Sequence, residues 1–349
     1  TRQTVRSLYV HAPFCHSRCF YCDFAVTLAR NPDASEWLEA VGIELERVRE
    51  EGVFILADRL DTLFVGGGTP STLGPEAMMG LADLLGHRRL DGPSLEWTVE
   101  ANPESFSARV GEGWARAGVN RLSLGVQSFQ PGALEWLRRL HDPGQALSAI
   151  QAARDSGIEN LNVDLIFGFP PEVDRDWSRD LDQILSLEVP HLSLYGLTVE
   201  RQTALGMAVN NGMISPPVDE AYREQFLEAH RRLVGAGYSH YEVSNFALPG
   251  FQAKHNRVYW EGGSYLGLGN SAHSFQPPLR RWNLRDWDTY RRSCLGGKVP
   301  WEGQEVLDQE ESCLEGLWLG LRTDRGFPLR NLSPEGAKTV DHWVVEGYA

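Results

Sequence analysis

The stretch HAPFCHSRCFYCDF (11–24) places Cys15, Cys19 and Cys22 within one short loop, three of the five cysteines in the chain. Three chemistries use thiols this close together. A zinc site closes with four ligands and commonly with two paired dithiols, and no second cysteine pair exists here. A redox dithiol needs only Cys19-x-x-Cys22 and leaves Cys15 idle. A 4Fe-4S cube takes thiolates on its irons, and three of them leave one iron open to bind a further molecule. Phe14, Phe20, Tyr21 and Phe24 interleave with the thiols and can shield such a cluster from water, which tunes its potential. Cys294 and Cys313 stand alone and read as packing residues.

Further polar and glycine residues stand at the ends of apolar runs. The segment GGGTP (66–70) removes side chains where a backbone must approach a ligand closely. It lacks the Gly-Lys-Ser/Thr ending of a phosphate loop. Glu100 closes one run, and Asp164 follows NLNV and precedes LIFGFP, so its carboxylate is expected to be buried and hydrogen-bonded.

The elements that must position these residues alternate regularly. β-rich runs at 7–13, 61–68, 95–102, 121–129, 160–170 and 191–198 are separated by patterns at 35–52, 107–119, 144–158 and 175–189 with apolar residues at helical spacing. Six β–α units predict parallel strands with right-handed crossovers, either doubly wound or as an incomplete barrel. His11, Gly66 to Thr69, Glu100, Gln127 and Asp164 recur toward the ends of the runs, and barrels carry their chemistry at the C-terminal strand ends. That placement favours a partial barrel, an α/β (β/α)6 arrangement, with its site at that mouth. After about residue 200 the rhythm stops. A Gly/Pro loop at 210–220 leads into a helix over 219–236 with Tyr222, Phe226, Ala229 and Leu233 on one stripe. A Gly- and aromatic-rich segment follows over 239–275, and a helix opens a small C-terminal module from about 305. The expected divisions are a barrel over 1–205, an α+β extension over 206–300 and a mostly helical C-terminal domain over 301–349, with further residues expected beyond its uncapped end.

C-x-x-x-C-x-x-C after a first strand resembles the radical S-adenosylmethionine (SAM) superfamily. There the open iron is chelated by the methionine portion of SAM, and one electron from the cluster cleaves the sulfonium to a 5′-deoxyadenosyl radical. YVHAPFC, FVGGGTPS, EANPES, SLGVQSF, LRRLH and NVDLIFGFP together resemble the anaerobic coproporphyrinogen III oxidase-like branch. The resemblance implies that Tyr9, Gly67 and Glu100 contact SAM on the cluster. It implies that Tyr21, Gly68, Thr69, Gln127, Arg139 and Asp164 match positions that hold a second SAM in the oxidase. Phe24 stands where the oxidase has a fourth cysteine, and the lead before the first strand is short, which points away from porphyrinogen decarboxylation. HNRVYW (255–260) is similar to the H-N-x-x-Y-W signature of HemW-type heme chaperones. That likeness implies heme as ligand, acceptor proteins that receive it, and an electron donor for the cluster. It makes His255 the candidate axial ligand, with Asn256 orienting it and Tyr259 and Trp260 offering aromatic faces; His273 in NSAHS is a second imidazole. The alternatives are an oxygen-independent coproporphyrinogen III dehydrogenase, a related radical SAM methyltransferase or heme-modifying enzyme, and a zinc-binding interaction module.

The 349 residues are 42% hydrophobic and 23% charged, an ordinary globular composition. The net charge of −14 argues against a partner held through nucleic-acid phosphates, which requires a basic face. No apolar run reaches the length that spans a bilayer and the first residues lack a signal-peptide core, so the expected location is cytoplasmic.

Overall fold

The computed structural model describes residues 4–332 and 334–346. Thr1–Gln3 of the first expected segment, and Ser333 and Gly347–Ala349 of the last, lie outside the described residues. Six strands, β1 (Ser7–Ala12), β2 (Thr62–Gly67), β3 (Glu96–Ala101), β4 (Arg121–Gln127), β5 (Asn160–Phe167) and β6 (His191–Gly196), form the heart of the fold. Each pairs in parallel with the next, in registers such as Leu8↔Leu63, Leu63↔Trp97, Val99↔Leu122 and Val163↔Leu192. Spatial order therefore follows chain order. A doubly wound sheet reverses direction at a switch point; this one does not, and it wraps as a partial barrel.

The helices α1 (Ala34–Glu51), α2 (Ala77–Leu85), α3 (Ala108–Ala117), α4 (Pro143–Asp155), α5 (Trp177–Ser186) and α6 (Asp219–Gly235) pack outside it. In α1, Trp37, Ala40, Val41, Leu45 and Val48 fall on one stripe and are buried. Asp33 caps its first turn through the Ser35 N–H, and Gly52 ends it in the left-handed conformation at φ 67°. The Trp37 indole donates to the His11 carbonyl at 2.9 Å, tying the helix to the end of β1. The sequence pattern misses α2. AMMGLADLL is apolar nearly all round, with Met78, Leu81, Ala82 and Leu85 buried, so no polar face marks its period.

Strand parity explains what enters the barrel. Successive side chains on a strand alternate between faces. On β3, Trp97 and Val99 join the apolar layer under the helices, while Glu96, Thr98 and Glu100 take the opposite parity. On β4 the same parity holds Arg121, Ser123, Gly125 and Gln127, and on β5 Asn162 and Asp164. Much of the polar layer so formed is hydrogen-bonded, as burial favours: Asn162 donates to Ser123 at 2.7 Å, and His191 bridges Asn162 at 2.6 Å and the Tyr241 hydroxyl at 2.7 Å, while the Arg121 Nε has no partner among the described residues.

Beyond residue 205 the chain covers both edges of this sheet. The strands β7 (Ser239–Glu242) and β8 (Asn245–Ala247) extend it beyond β6, with β8 antiparallel to β6, and β9 (Leu266–Leu268) runs parallel to β1 with Leu8 opposite Leu266. The sheet thus has nine strands, and its edges are strands too short to show a period-two pattern. A separate antiparallel sheet holds β10 (His273–Gln276), β11 (Leu279–Asn283) and β12 (Trp301–Val306). The helices α7 (Lys254–Trp260) and α8 (Trp287–Leu295) lie in this half, and α9 (Gln309–Gly320) and α10 (Pro334–Glu346) close the chain. One buried carboxylate joins the halves: Glu44 of α1 accepts from the Gly269 N–H at 2.7 Å, Asn283 at 2.5 Å and the Tyr290 hydroxyl at 2.6 Å. No described helix is long and apolar enough to cross a membrane.

Candidate functional site

A cavity of about 490 Å³ opens at the C-terminal ends of the barrel strands. Cys15, Cys19 and Cys22 all line it. The loop that carries them is stitched in place: Phe14 and Cys15 pair with Thr27 and Leu28, the Ala29 N–H donates to the Cys15 carbonyl at 3.0 Å, and the Thr69 N–H donates to the Phe14 carbonyl at 2.7 Å. Cys15 Sγ lies 3.2 Å from the Thr69 hydroxyl, and Cys19 Sγ accepts from Arg139 Nη1 at 3.2 Å. Burial pushes the Cys15 thiol up to about 11 and raises that of Cys22, and neighbouring thiols add to both shifts. Thiols so placed ionise fully only with positive charge brought among them, which is what metal coordination supplies.

The glycine run of β2 is packed against the same chamber. At Gly67, with φ +96°, a Cβ would fall 2.2 Å from the His11 ring and 2.7 Å from the Tyr9 hydroxyl. A Cβ at Gly66 would lie 2.5 Å from the Glu100 carboxyl carbon. The Glu100 carboxylate accepts from the Gly67 N–H at 2.9 Å. Burial raises Glu100 to about 7 against that hydrogen bond, with Asp164 adding repulsion. Asp164 is also raised by burial, while Asn162, Ser123 and Ser193 hold it in place. It sits within β5 rather than at its end, four residues past the strand start.

Arg18 and Arg139 line this chamber as cations. Arg139 donates to the Asn102 side chain and the Gly125 carbonyl, both at 2.7 Å, besides Cys19. Burial alone would lower its pKa, but Tyr21, Cys19 and Glu104 hold it above the ordinary guanidinium value. Its Nε is buried with no hydrogen-bond partner among the described residues. Gln127 closes β4 at φ 69°, a left-handed backbone that costs a non-glycine residue on the order of 1–3 kcal/mol. Asn102 is a site residue that strand-end reasoning passes over: it donates to the Thr69 hydroxyl at 3.1 Å while accepting from Arg139, so it sets the glycine run against the cysteine loop. Tyr195, half-exposed at the end of β6, is another.

These residues fit a cluster with a small zwitterion beside it. Three thiols line one chamber, and its glycine backbone leaves close approach to a ligand. Two half-buried carboxyls face a positively charged group, and a guanidinium with a spare donor faces an anionic one.

A second cavity of about 400 Å³ adjoins the first, and both include Asp23, Phe24, Gly67 and Glu100 in their walls. Phe24 is 66% exposed. The remaining wall includes Tyr9, His11, Tyr259, Tyr265, His273 and Arg285. Of the four residues expected around heme, Tyr259 is in this wall, whereas His255, Asn256 and Trp260 line neither cavity. His255, expected as the axial ligand, is placed apart from both cavities. It is 1% exposed, its Nδ1 lies 2.7 Å from the Thr62 hydroxyl and its Nε2 2.8 Å from the Tyr259 hydroxyl. Burial drives its pKa down to about 3, and Arg121 adds to that shift. Both ring nitrogens are hydrogen-bonded, and the residue anchors α7 to β2.

A sequential parallel barrel with three thiols at its C-terminal mouth is the arrangement of a radical SAM protein. Residues 9–184 match the radical SAM superfamily. The heme chaperone HemW of Mycobacterium tuberculosis is 36% identical over 345 residues, 97% of this chain and 87% of that protein. The heme chaperone HemW of Bacillus subtilis is 32% identical over 339 residues, 97% of this chain and 88% of that one. The solved coproporphyrinogen III oxidase of Escherichia coli, 22% identical, superposes with a TM-score of 0.78 over 92% of this chain and 76% of its own, and so shares the fold. The chain belongs to the radical SAM superfamily and, within it, to the HemW family.

Proposed function

We propose that this chain binds heme and delivers it to acceptor proteins, with a 4Fe-4S cluster on Cys15, Cys19 and Cys22 and SAM beside it in the first cavity. The observation that carries the choice of carrying heme over making it is Phe24. An exposed phenyl ring stands on the rim of both cavities, at the position where the resemblance gives the oxidase a fourth cysteine. The relatives that cover 97% of the chain, named as heme chaperones, support the same reading.

When bound, the cluster supplies a single electron and an open iron to SAM. The chain's own residues do the rest. Gly67 and Gly68 admit the amino-acid portion of SAM, Glu100 and Asp164 meet its positive charge, and Arg139 holds the loop of Cys19 while presenting its spare Nε. Thr69 orients Cys15 through its hydroxyl, Tyr21 and Gln127 complete the wall, and Tyr9 stands behind Gly67 from the second cavity. An electron donor to the cluster and heme acceptors are the implied partners.

Anaerobic purification with iron, sulfide, SAM and heme measured together tests this reading. The expected result is about four irons and four sulfides per chain, SAM bound, and heme that passes to an apo-acceptor. Vinyl-group formation together with 5′-deoxyadenosine from coproporphyrinogen, reductant and SAM would overturn it in favour of the dehydrogenase.

A further inference from the structure

We propose that the second cavity is the seat of the heme, with His273 as its axial ligand and Arg285 as the partner of its carboxylates; this rests on the heme reading above and assigns it a place. Three imidazoles stand near the cavity, and the structure separates them. His11 is buried, with Nδ1 2.9 Å from the Tyr9 hydroxyl and Nε2 3.0 Å from the Ala25 carbonyl. His255 is likewise bonded at both nitrogens. His273 opens β10 on the exposed side, and its ring is held by stacking on Trp282, with centroids 6.1 Å apart and planes at 26°. Burial and Arg280 lower its pKa, so it is the neutral imidazole that a metal requires.

The rest of the wall suits a flat macrocycle with carboxylate arms. Phe24, Tyr259 and Tyr265 offer aromatic faces. Arg285 is 60% exposed and lightly held, by the Asp23 carbonyl at 2.6 Å and its carboxylate at 3.4 Å, so its guanidinium can turn to a carboxylate at the mouth. Iron, ring and carboxylates thus each meet a matching group. The four residues that both cavities share put this ligand next to the cluster chamber.

The test titrates ferric heme anaerobically into the full chain with its cluster reconstituted, following the Soret band and electron paramagnetic resonance. Wild type is expected to give an imidazole-ligated spectrum. His273→Ala weakens binding by about tenfold or more, removes the imidazole signature, and regains it when free imidazole is added. Iron-free protoporphyrin binds the variant as it binds wild type, because it makes no axial bond; a loss there equal to the loss with heme would mean a structural role and overturn the assignment. Arg285→Ala weakens heme by about two- to fivefold, and the difference disappears with the dimethyl ester of heme. Unchanged affinity and spectrum in His273→Ala overturn the assignment while the heme reading stands. A wild-type chain that takes up no heme overturns both.

Discussion

Glu100 shows how one side chain serves two chambers. It reaches the barrel mouth from the inner face of β3, fixed by the Gly67 N–H, and it borders both cavities. Burial lifts it to about 7, helped by the nearby Asp164. Because SAM carries a sulfonium and an ammonium, it binds the ionised form of this carboxyl. Below the raised pKa the carboxyl is protonated and the attraction is lost, so SAM affinity should rise as pH increases from about 6 to about 8, with a proton released on binding. Glu100→Gln should bind more weakly and show a flat profile. Isothermal titration in buffers of different ionisation heat measures both, and an unchanged slope in the variant would reject the assignment. The cysteines and Glu100 could be read in the sequence because their types are conspicuous near strand ends, and Asp164 because a carboxylate stands out inside an apolar run. Asn102 could not, since its role depends on a contact with Arg139 across 37 residues. The place of His255 is hidden for a related reason: its motif is plain in one dimension, but its burial against Thr62, 193 residues away, is not.

At the scale of elements, the β–α rhythm gave the six parallel strands and most of the helices, because long strands and amphipathic helices write a period into the chain. The short strands β7, β8 and β9, added outside the six, have three or four residues each and write none. What the rhythm cannot supply is the closeness of approach at the glycine run. Gly67→Ala should cost the strain of a positive φ, about 1–2 kcal/mol, and a further ~1–3 kcal/mol for the clash with His11 and Tyr9. Gly86→Ala, with φ +86° and open space around the added methyl, isolates the first contribution. Urea unfolding of the two variants should separate them, and equal losses would show that the crowding at Gly67 relaxes freely. The contact between α1 and the second half of the chain is similarly specific. Glu44→Gln replaces one of the two accepting oxygens with an amide N–H₂, which then faces either Asn283 or the Gly269 N–H and Tyr290 hydroxyl donor to donor, leaving at least one of the three unmet at a cost of about 1–3 kcal/mol. An unfolding midpoint equal to that of wild type would exclude this role.

For the whole molecule, the barrel half contributes the thiols, glycines and carboxyls of the first cavity, and the later half brings Tyr259, Tyr265, His273 and Arg285 against it. Joining the two through Asp23, Phe24, Gly67 and Glu100 makes their ligands neighbours. A cation in the first cavity offsets the charge of Glu100, which otherwise repels the carboxylates of a tetrapyrrole in the second. SAM should therefore tighten heme binding. Linkage requires that heme tighten SAM binding by the same factor, of about 5- to 150-fold for couplings of ordinary size. Phe24→Ala, which removes the ring from the shared rim, should reduce that factor while each ligand still binds alone. Titrating heme with and without saturating SAM, and SAM with and without saturating heme, closes the cycle. If each affinity is indifferent to the other ligand, the two chambers act independently, and control of heme delivery by the cluster site has no energetic basis in their contact.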